Sequence, residues 1–553
     1  MVTEKCGASE IQRDGGSRVV DTIQRIFSNS IFIMQFGPEA SPLATWHFDY
    51  PFDLSNRFER RLANVNFIAE KIQSVEKSFT HIIFIHISMQ FGLVKFPLRK
   101  GIHIWTFPMF LTPSYRASGE IVPESYFQME CLTLAKSENI VTPSRLEKQQ
   151  LIEFYSIPKE NIHVVPRGVD TQFLAPKVRS LTDPPIFCSI GSIKPQKNVL
   201  GLVQLFSRIH AKFKGAMLRI VGPVQDAKYY ADVVKEIKRL EIEKAVEFFG
   251  YIPPDKLALA IKDTHMHISM SNCETFGRAI FETLALGLPN VAKITENAAA
   301  EFLRYLPYAR FVDDEKDALN VIEEMLSNLS SLSAMAIEIG KLYYEEILSQ
   351  LLKAKICSRD FITISDFDGT LFHKNDPERT QICIDAFRKF SRRVICSARS
   401  IQDLLELLAH YNLEVNWILG YSGAVVADGR GKIQWINPLD LNDVARLEKI
   451  MPTAKRIEVA DKVLQISVPI DSMLNVNMLG LRTEIYQDTA FIADWKASKL
   501  RAVHQLLRYI NWSGQVRVFG DGPYDAELIN YFDGVFISSS FHSYNCQKEI
   551  INV

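Results

Sequence analysis

Two carboxylates two positions apart, Asp366 and Asp368, follow the apolar run Phe361-Ile362-Thr363-Ile364 and lead into Gly369-Thr370-Leu371. A strand followed by a glycine turn sets both groups at the strand's carboxyl end, where open α/β sheets receive ligands. Asp-x-Asp-Gly-Thr is a phosphoryl-transfer signature. A carboxylate attacks a phosphate dianion only when a cation offsets the charge, so the stretch calls for Mg²⁺. A second acidic pair, Glu274 and Glu282, brackets Phe276-Gly277-Arg278, the start of a helix whose unpaired N–H groups can hold phosphate or sugar oxygens. Upstream, an apolar run ends in Gly191, and Lys197-Asn198 opens the next helix. A basic side chain at that position suits a diphosphate, because the helix dipole already favours an anion there.

These residues must be carried by alternating strands and helices. Ser30 to Pro38 reads as a buried strand ending in a Gly-Pro turn, after a polar lead, and a helical period runs from about Phe58 to Lys77. Strand-like runs follow at His81 to His86, Ile102 to Trp105 and Ile140-Val141, and then at Ile186 to Gly191, Ala216 to Gly222, Val246 to Ile252 and Met266 to Ser271. Strands at this spacing, separated by helical segments, mean parallel α/β sheets. His86, on an apolar run, reads as a core or strand-end histidine.

The segment Ser271 to Pro289 resembles the donor-binding Glu-x7-Glu element of retaining group-1 glycosyltransferases. The resemblance implies a GT-B fold, with Glu274 gripping the hexose of a nucleotide-sugar donor and Glu282 its ribose. Gly191, Phe276 and Gly277 then line the donor site, and Lys197 stabilises the departing diphosphate. His163 to Asp170 resembles the end of the acceptor-side domain. Three departures stand out: Ser192 follows Gly191 where the family usually has Arg, with Lys194 as the substitute charge; Arg167 replaces an Asn; and Phe36-Gly37-Pro38-Glu39 stands where a Gly-Gly loop is usual after the first strand.

The Asp366 stretch resembles motif I of the haloacid dehalogenase superfamily, which makes Asp366 the nucleophile and Asp368 the acid and base. In the same order come Ser397, to hold the phosphoryl group; Lys496, the expected neutralising cation, with Lys499 as fallback; and Gly520-Asp521-Gly522-Pro523-Tyr524-Asp525. The implied metal site uses Asp366, Asp368, Asp521 and Asp525. Ile418 to Val426 resembles the Asn-Gly-Ala turn of sugar phosphatases with a C2-type cap, with Ser422 in place of Asn.

Length and composition agree with several ordinary globular domains. The chain has 553 residues, 47% of them hydrophobic and 23% charged, which is too long for one core. A formal net charge of −1 gives no general attraction to nucleic acid, so any phosphate binding has to be local. The eight cysteines lie apart, without a Cys-x-x-Cys pair, which fits a reducing cytoplasm. No signal peptide or membrane span is legible.

The expected architecture is α/β: a GT-B acceptor-side domain at 1–175, a nucleotide-sugar domain at 176–355, and a haloacid dehalogenase-like domain at 356–553 with a cap at about 400–492. The arrangement is similar to that of the sucrose-phosphate synthase family with its phosphatase-like tail. It implies a bifunctional enzyme that transfers a sugar to a small phosphorylated acceptor and then removes the phosphate. The alternative is a working phosphatase joined to a glycosyltransferase-like region that only senses nucleotide sugar.

Overall fold

The structure, a computed structural model, describes residues 1–4, 15–27, 30–37, 40–117, 119–169, 176–182, 184–304, 306–313, 315–343, 345–473 and 480–537. The chain divides into two compact units, Met1–Gln350 and Leu351–Val553. Pro38, Glu39, Asp170, Cys6 and Cys546 lie outside the described residues. Among the described residues, no helix is long and apolar enough to cross a membrane.

The first unit holds two parallel sheets. One has seven strands in the order Trp46–Phe48, Met34–Phe36, Val2–Thr3, His81–Ile85, His103–Phe107, Asn139–Thr142, Ile162–Val164. The other has six, in the order Val246–Gly250, Met217–Val221, Ile186–Ile190, Met266–Ser269, Asn290–Lys293, Ala309–Val312. Both orders reverse direction once, at a central strand. That reversal opens the crevice in which doubly wound sheets hold ligands.

The polar lead expected before Ser30 is not a lead. Val2–Thr3 is the central strand of the first sheet, paired in parallel with Met34–Phe36 on one side and His81–Ile85 on the other. Gly15-Gly16 opens the next helix, Gly15–Phe27, so a Gly-Gly pair does follow the first strand, one element earlier than the apolar runs suggest. A run of two apolar or β-branched residues is too short to register as a strand by periodicity.

The helices are built as their sequences direct. In Val199–Lys212 the Asn198 side chain accepts from the Gly201 N–H at 3.2 Å, capping the first turn, while Leu202, Leu205, Phe206 and Ile209 recur on one face and are buried. Each such side chain stabilises the sheet it covers by roughly 1.5–3 kcal/mol.

In the second unit the core sheet runs Ile433–Ile436, Val425–Asp428, Trp417–Gly420, Arg393–Cys396, Phe361–Ser365, Gln515–Gly520, Val535–Phe536. The first two strands are antiparallel additions. A separate four-stranded antiparallel sheet, Lys455–Val459, Lys462–Pro469, Thr489–Asp494, Leu481–Tyr486, packs with the helix Leu441–Ile450 around Leu447, Ile466 and Ile492. The insertion expected as one cap at 400–492 is therefore divided. Its first part, through Ile436, extends the core sheet, and its later part, from Leu441, contributes the separate four-stranded sheet and its helix.

Candidate functional site

Several of the residues expected to carry phosphoryl transfer meet at the carboxyl edge of three adjacent parallel strands. Ser365 pairs with Ile395 on one side and Phe519 on the other, so Ser397 and Asp521 leave the neighbouring strands one residue beyond the level of Asp366. Asp366 is buried, and its Oδ1 accepts from Lys499 Nζ at 2.8 Å; the same ammonium donates to Asp525 Oδ1 at 2.6 Å. Lys499, named as the fallback, is the lysine that meets these carboxylates, in the first turn of Lys499–Tyr509, behind a Ser498 cap. Lys496, the expected one, is exposed, with its ammonium 5.8 Å from the Trp495 ring. The two lysines are three positions apart, and the cap at Ser498 decides which one enters the core.

Burial opposes the charge on Lys499, but Asp366 and Asp525 hold its pKa well above the ordinary lysine value. Asp521 is pushed up to about 6 by burial and by the Asp525 carboxylate. Asp525 Oδ2 accepts from the Gly522 N–H at 3.1 Å, and Thr370 Oγ1 donates to Asp521 Oδ1 at 3.2 Å. One oxygen from each of Asp366, Asp521 and Asp525 lies within 4.8 Å of the others. Three hard oxygen donors against a single ammonium are a donor set suited to a divalent cation of the Mg²⁺ kind.

Asp368 stands apart from that trio. Arg399 holds its carboxylate in a fork, Nε to Oδ2 and Nη2 to Oδ1 at 2.6 Å each. Its expected place among metal-ligating side chains is not where the carboxylate points; a two-pronged guanidinium contact orients an acid or base group instead. Ser397 is buried, and its Oγ accepts from the Arg399 N–H at 3.3 Å. Ser422, in a left-handed turn, donates to Glu484 of the cap strand Leu481–Tyr486 and so ties cap to core. A cavity of about 450 Å³ opens over Asp368 and Asp521 and is walled by Arg399, Arg379, Lys374 and the cap's Tyr486.

In the first unit a cleft of about 460 Å³ lies between the two sheets' carboxyl ends. Thr3, Glu4, Ile85 and His86 reach it from the reversal point of the first sheet, and Lys194, Glu274 and Gly277 from that of the second. Lys197 Nζ lies 2.5 Å from Glu274 Oε1, a contact between residues 77 positions apart in sequence. Lys197's stem crosses Gly191, where a side chain would meet it at 3.5 Å. Lys194 supplies a second ammonium to the cleft; burial and the neighbouring Lys197 lower its pKa.

Two expected donor contacts are placed otherwise. Glu282 is buried, does not line the cavity, and is ion-paired with Arg18 from the helix Gly15–Phe27. Phe276 borders the cleft, but its ring stacks on Phe281 at 4.5 Å, which makes it a packing residue. Gly277, at φ 78°, caps the helix Arg278–Ala285.

His86 is at the strand end, as one of its two expected settings has it, but it is more than a packing residue. It ends its strand at φ 79°, faces the cleft, and its Nδ1 lies 2.9 Å from Ser88 Oγ. A histidine one residue beyond an apolar strand is the signal that points to it. Arg57, Arg61 and Arg167 also line the cleft; Arg61 is held by Glu4 and Arg57 by Glu120. The two halves are further joined by Glu301, whose Oε2 and Oε1 accept from the N–H groups of Arg145 and Leu146 at 2.9 and 2.6 Å.

Comparison with known proteins agrees with this division. Residues 33–173 match the model of Glycosyltransferase Family 4, residues 170–341 that of the Glycosyl transferases group 1, and residues 363–465 that of the haloacid dehalogenase-like hydrolases. A D-inositol 3-phosphate glycosyltransferase of Nocardia farcinica is 27% identical over 171 residues, 29% of this chain and 38% of that protein. A mannosylfructose-phosphate synthase of Agrobacterium fabrum is 23% identical over 206 residues, 34% of this chain and 45% of that protein. The chain thus spans less than half the length of these relatives.

In three dimensions, a sucrose-phosphate synthase from Thermosynechococcus elongatus superposes with a TM-score of 0.54 at 16% identity, covering 64% of this chain and 96% of that one. Anabaena HepE, solved with UDP and glucose, gives 0.53 at 14% identity, covering 65% of this chain and 99% of that one. The chain joins a group-1 glycosyltransferase region of GT-B fold to a haloacid dehalogenase-like hydrolase region.

Proposed function

We propose that the protein is a bifunctional enzyme that transfers a sugar, with retention, from a nucleotide-sugar donor to a small phosphorylated acceptor and then hydrolyses the phosphate from the glycoside. The observation that carries this reading is the presence, on one chain, of the Lys197–Glu274 pair in a cleft between doubly wound sheets and the Lys499-bridged Asp366–Asp525 pair in a capped site.

In the transferase region, Lys197 and Lys194 offset the charge that develops on the departing nucleotide diphosphate, and Glu274 orients the hexose. The guanidinium groups of Arg57 and Arg167 suit an acceptor phosphate. In the hydrolase region, Asp366 attacks phosphorus, and Asp368, oriented by Arg399, protonates the leaving oxygen and then takes a proton from the water that cleaves the aspartyl phosphate. Ser397 and Lys499 hold phosphoryl oxygens. Asp366, Asp521 and Asp525 would hold Mg²⁺, which supplies charge neutralisation for the attack. Hydrolysis makes the joint reaction effectively irreversible. Free cysteines such as Cys188 and Cys396 fit a reducing, cytoplasmic setting.

A second reading keeps the phosphatase and makes the front region a sensor of nucleotide sugar. The Arg18–Glu282 ion pair favours it, because it occupies the carboxylate expected to take the donor's ribose. An Asp366→Asn variant separates the two. Wild type and variant receive Mg²⁺, nucleotide sugars and sugar phosphates, with products read by mass. A phosphorylated glycoside that accumulates only in the variant supports coupled synthesis. Phosphate release by wild type without any glycoside supports the sensor.

A further inference from the structure

The hydrolase cavity carries more positive charge at its mouth than phosphoryl transfer uses. Lys499, which does not line the cavity, is shared between Asp366 and Asp525, and Arg399, which does, is committed to both oxygens of Asp368. Nearer the opening stand Lys374 and Arg379, and among the described residues neither makes an ion pair. Asp376 lines the same cavity, and its Oδ1 caps the helix Pro377–Arg388 by accepting from the Arg379 N–H at 2.9 Å. The loop that presents both cations is held in shape. Thr380 Oγ1 accepts from the His373 N–H at 2.8 Å and donates to the Asp376 carbonyl at 2.9 Å. His373 adds no charge near neutral pH, since burial and Arg379 lower its pKa.

A cation pair on a braced loop, lining a cavity of about 450 Å³ that Tyr486 also borders, matches an anion on the ligand at the end remote from the transferred phosphoryl group. We propose that Lys374 and Arg379 form a second anion subsite, and that the phosphatase acts on phosphomonoesters whose leaving portion carries a carboxylate or a second phosphate. The inference rests on the phosphatase reading and narrows its substrate class. A neutral sugar phosphate would leave both cations unpaired in the closed site, whereas a doubly anionic ester engages them and gains discrimination from the contact.

The test uses matched esters that differ at the remote end: glycerol 3-phosphate against 3-phosphoglycerate, and fructose 6-phosphate against fructose 1,6-bisphosphate. The full chain with Mg²⁺ is compared with the Lys374→Gln/Arg379→Gln double variant. Wild type is expected to favour the anionic member of at least one pair by about tenfold or more in kcat/KM, and the double variant to bring that ratio close to one. The pair that shows the preference tells carboxylate from phosphate. A wild-type ratio near one, or an equal loss on both members in the variant, overturns the proposal. If no ester is hydrolysed, the phosphatase reading fails on its own. The subsite is then decided by calorimetric binding of the same pairs to Asp366→Asn with and without the two substitutions, where equal affinities for both members would reject it.

Discussion

At the scale of single residues, the structure assigns weight to atoms that the motifs only nominate. Lys496 and Lys499 are equivalent as letters, yet one is exposed and the other is buried between two carboxylates. Lys499→Met should lower phosphate release by at least about 100-fold, while Lys496→Gln should stay within about twofold, both measured on protein whose circular dichroism is unchanged. Glu147 offers a different prediction. It is fully buried, neither carboxylate oxygen accepts a hydrogen bond among the described residues, and burial pushes its pKa to about 8, with Arg167 pulling the other way. Because the folded pKa lies above the unfolded one, the folded chain binds the extra proton, and stability falls as pH rises from about 4.5 to about 8. Glu147→Gln should therefore raise the melting midpoint at pH 8, by the equivalent of roughly 1–3 kcal/mol, and make no difference near pH 4.5. A thermal melt at each pH checks the sign.

At the scale of elements, the catalytic strands are legible because they are continuous apolar runs that end in polar motifs. Phe361–Ser365, Ile186–Ile190 and Met266–Ser269 are of this kind, each running into the motif read from the sequence. What escapes is structure whose signal is not local. Val2–Thr3 is a strand only because Met34–Phe36 and His81–Ile85 flank it. The cap boundary is hidden because Val425–Asp428 and Ile433–Ile436 look like any hairpin, and only pairing assigns them to the core sheet. The Arg18–Glu282 pair joins residues 264 positions apart, beyond any spacing rule. Glycine turns at strand ends are visible in the sequence, and the structure makes their reason concrete. At Gly369, φ 76°, a methyl group would sit 1.9 Å from Asp521 Oδ2. Gly369→Ala should displace Asp521 and reduce phosphatase turnover by about 100-fold while glycosyl transfer continues, measured on the two half-reactions separately.

At the scale of the whole molecule, two candidate sites share a chain of formal charge −1, and each gathers its cations locally: Lys194 lines one cleft beside the Lys197–Glu274 pair, and Lys499 meets the carboxylates of the other site. Only the second is paired with a carboxylate trio among the described residues. Removing divalent ions with a chelator should abolish phosphate release and spare glycosyl transfer, so that a phosphorylated intermediate builds up, as read by mass in a single reaction. Glu301 has a consequence of another sort. Its carboxylate is plugged onto the two amides that begin the helix Arg145–Tyr155, a contact from the helix Ala299–Leu303 of the other half of the first unit. Those two N–H groups can trade hydrogen for deuterium only when the halves part, so their exchange rate acts as a clock for breathing of the cleft, readable without any substrate turnover.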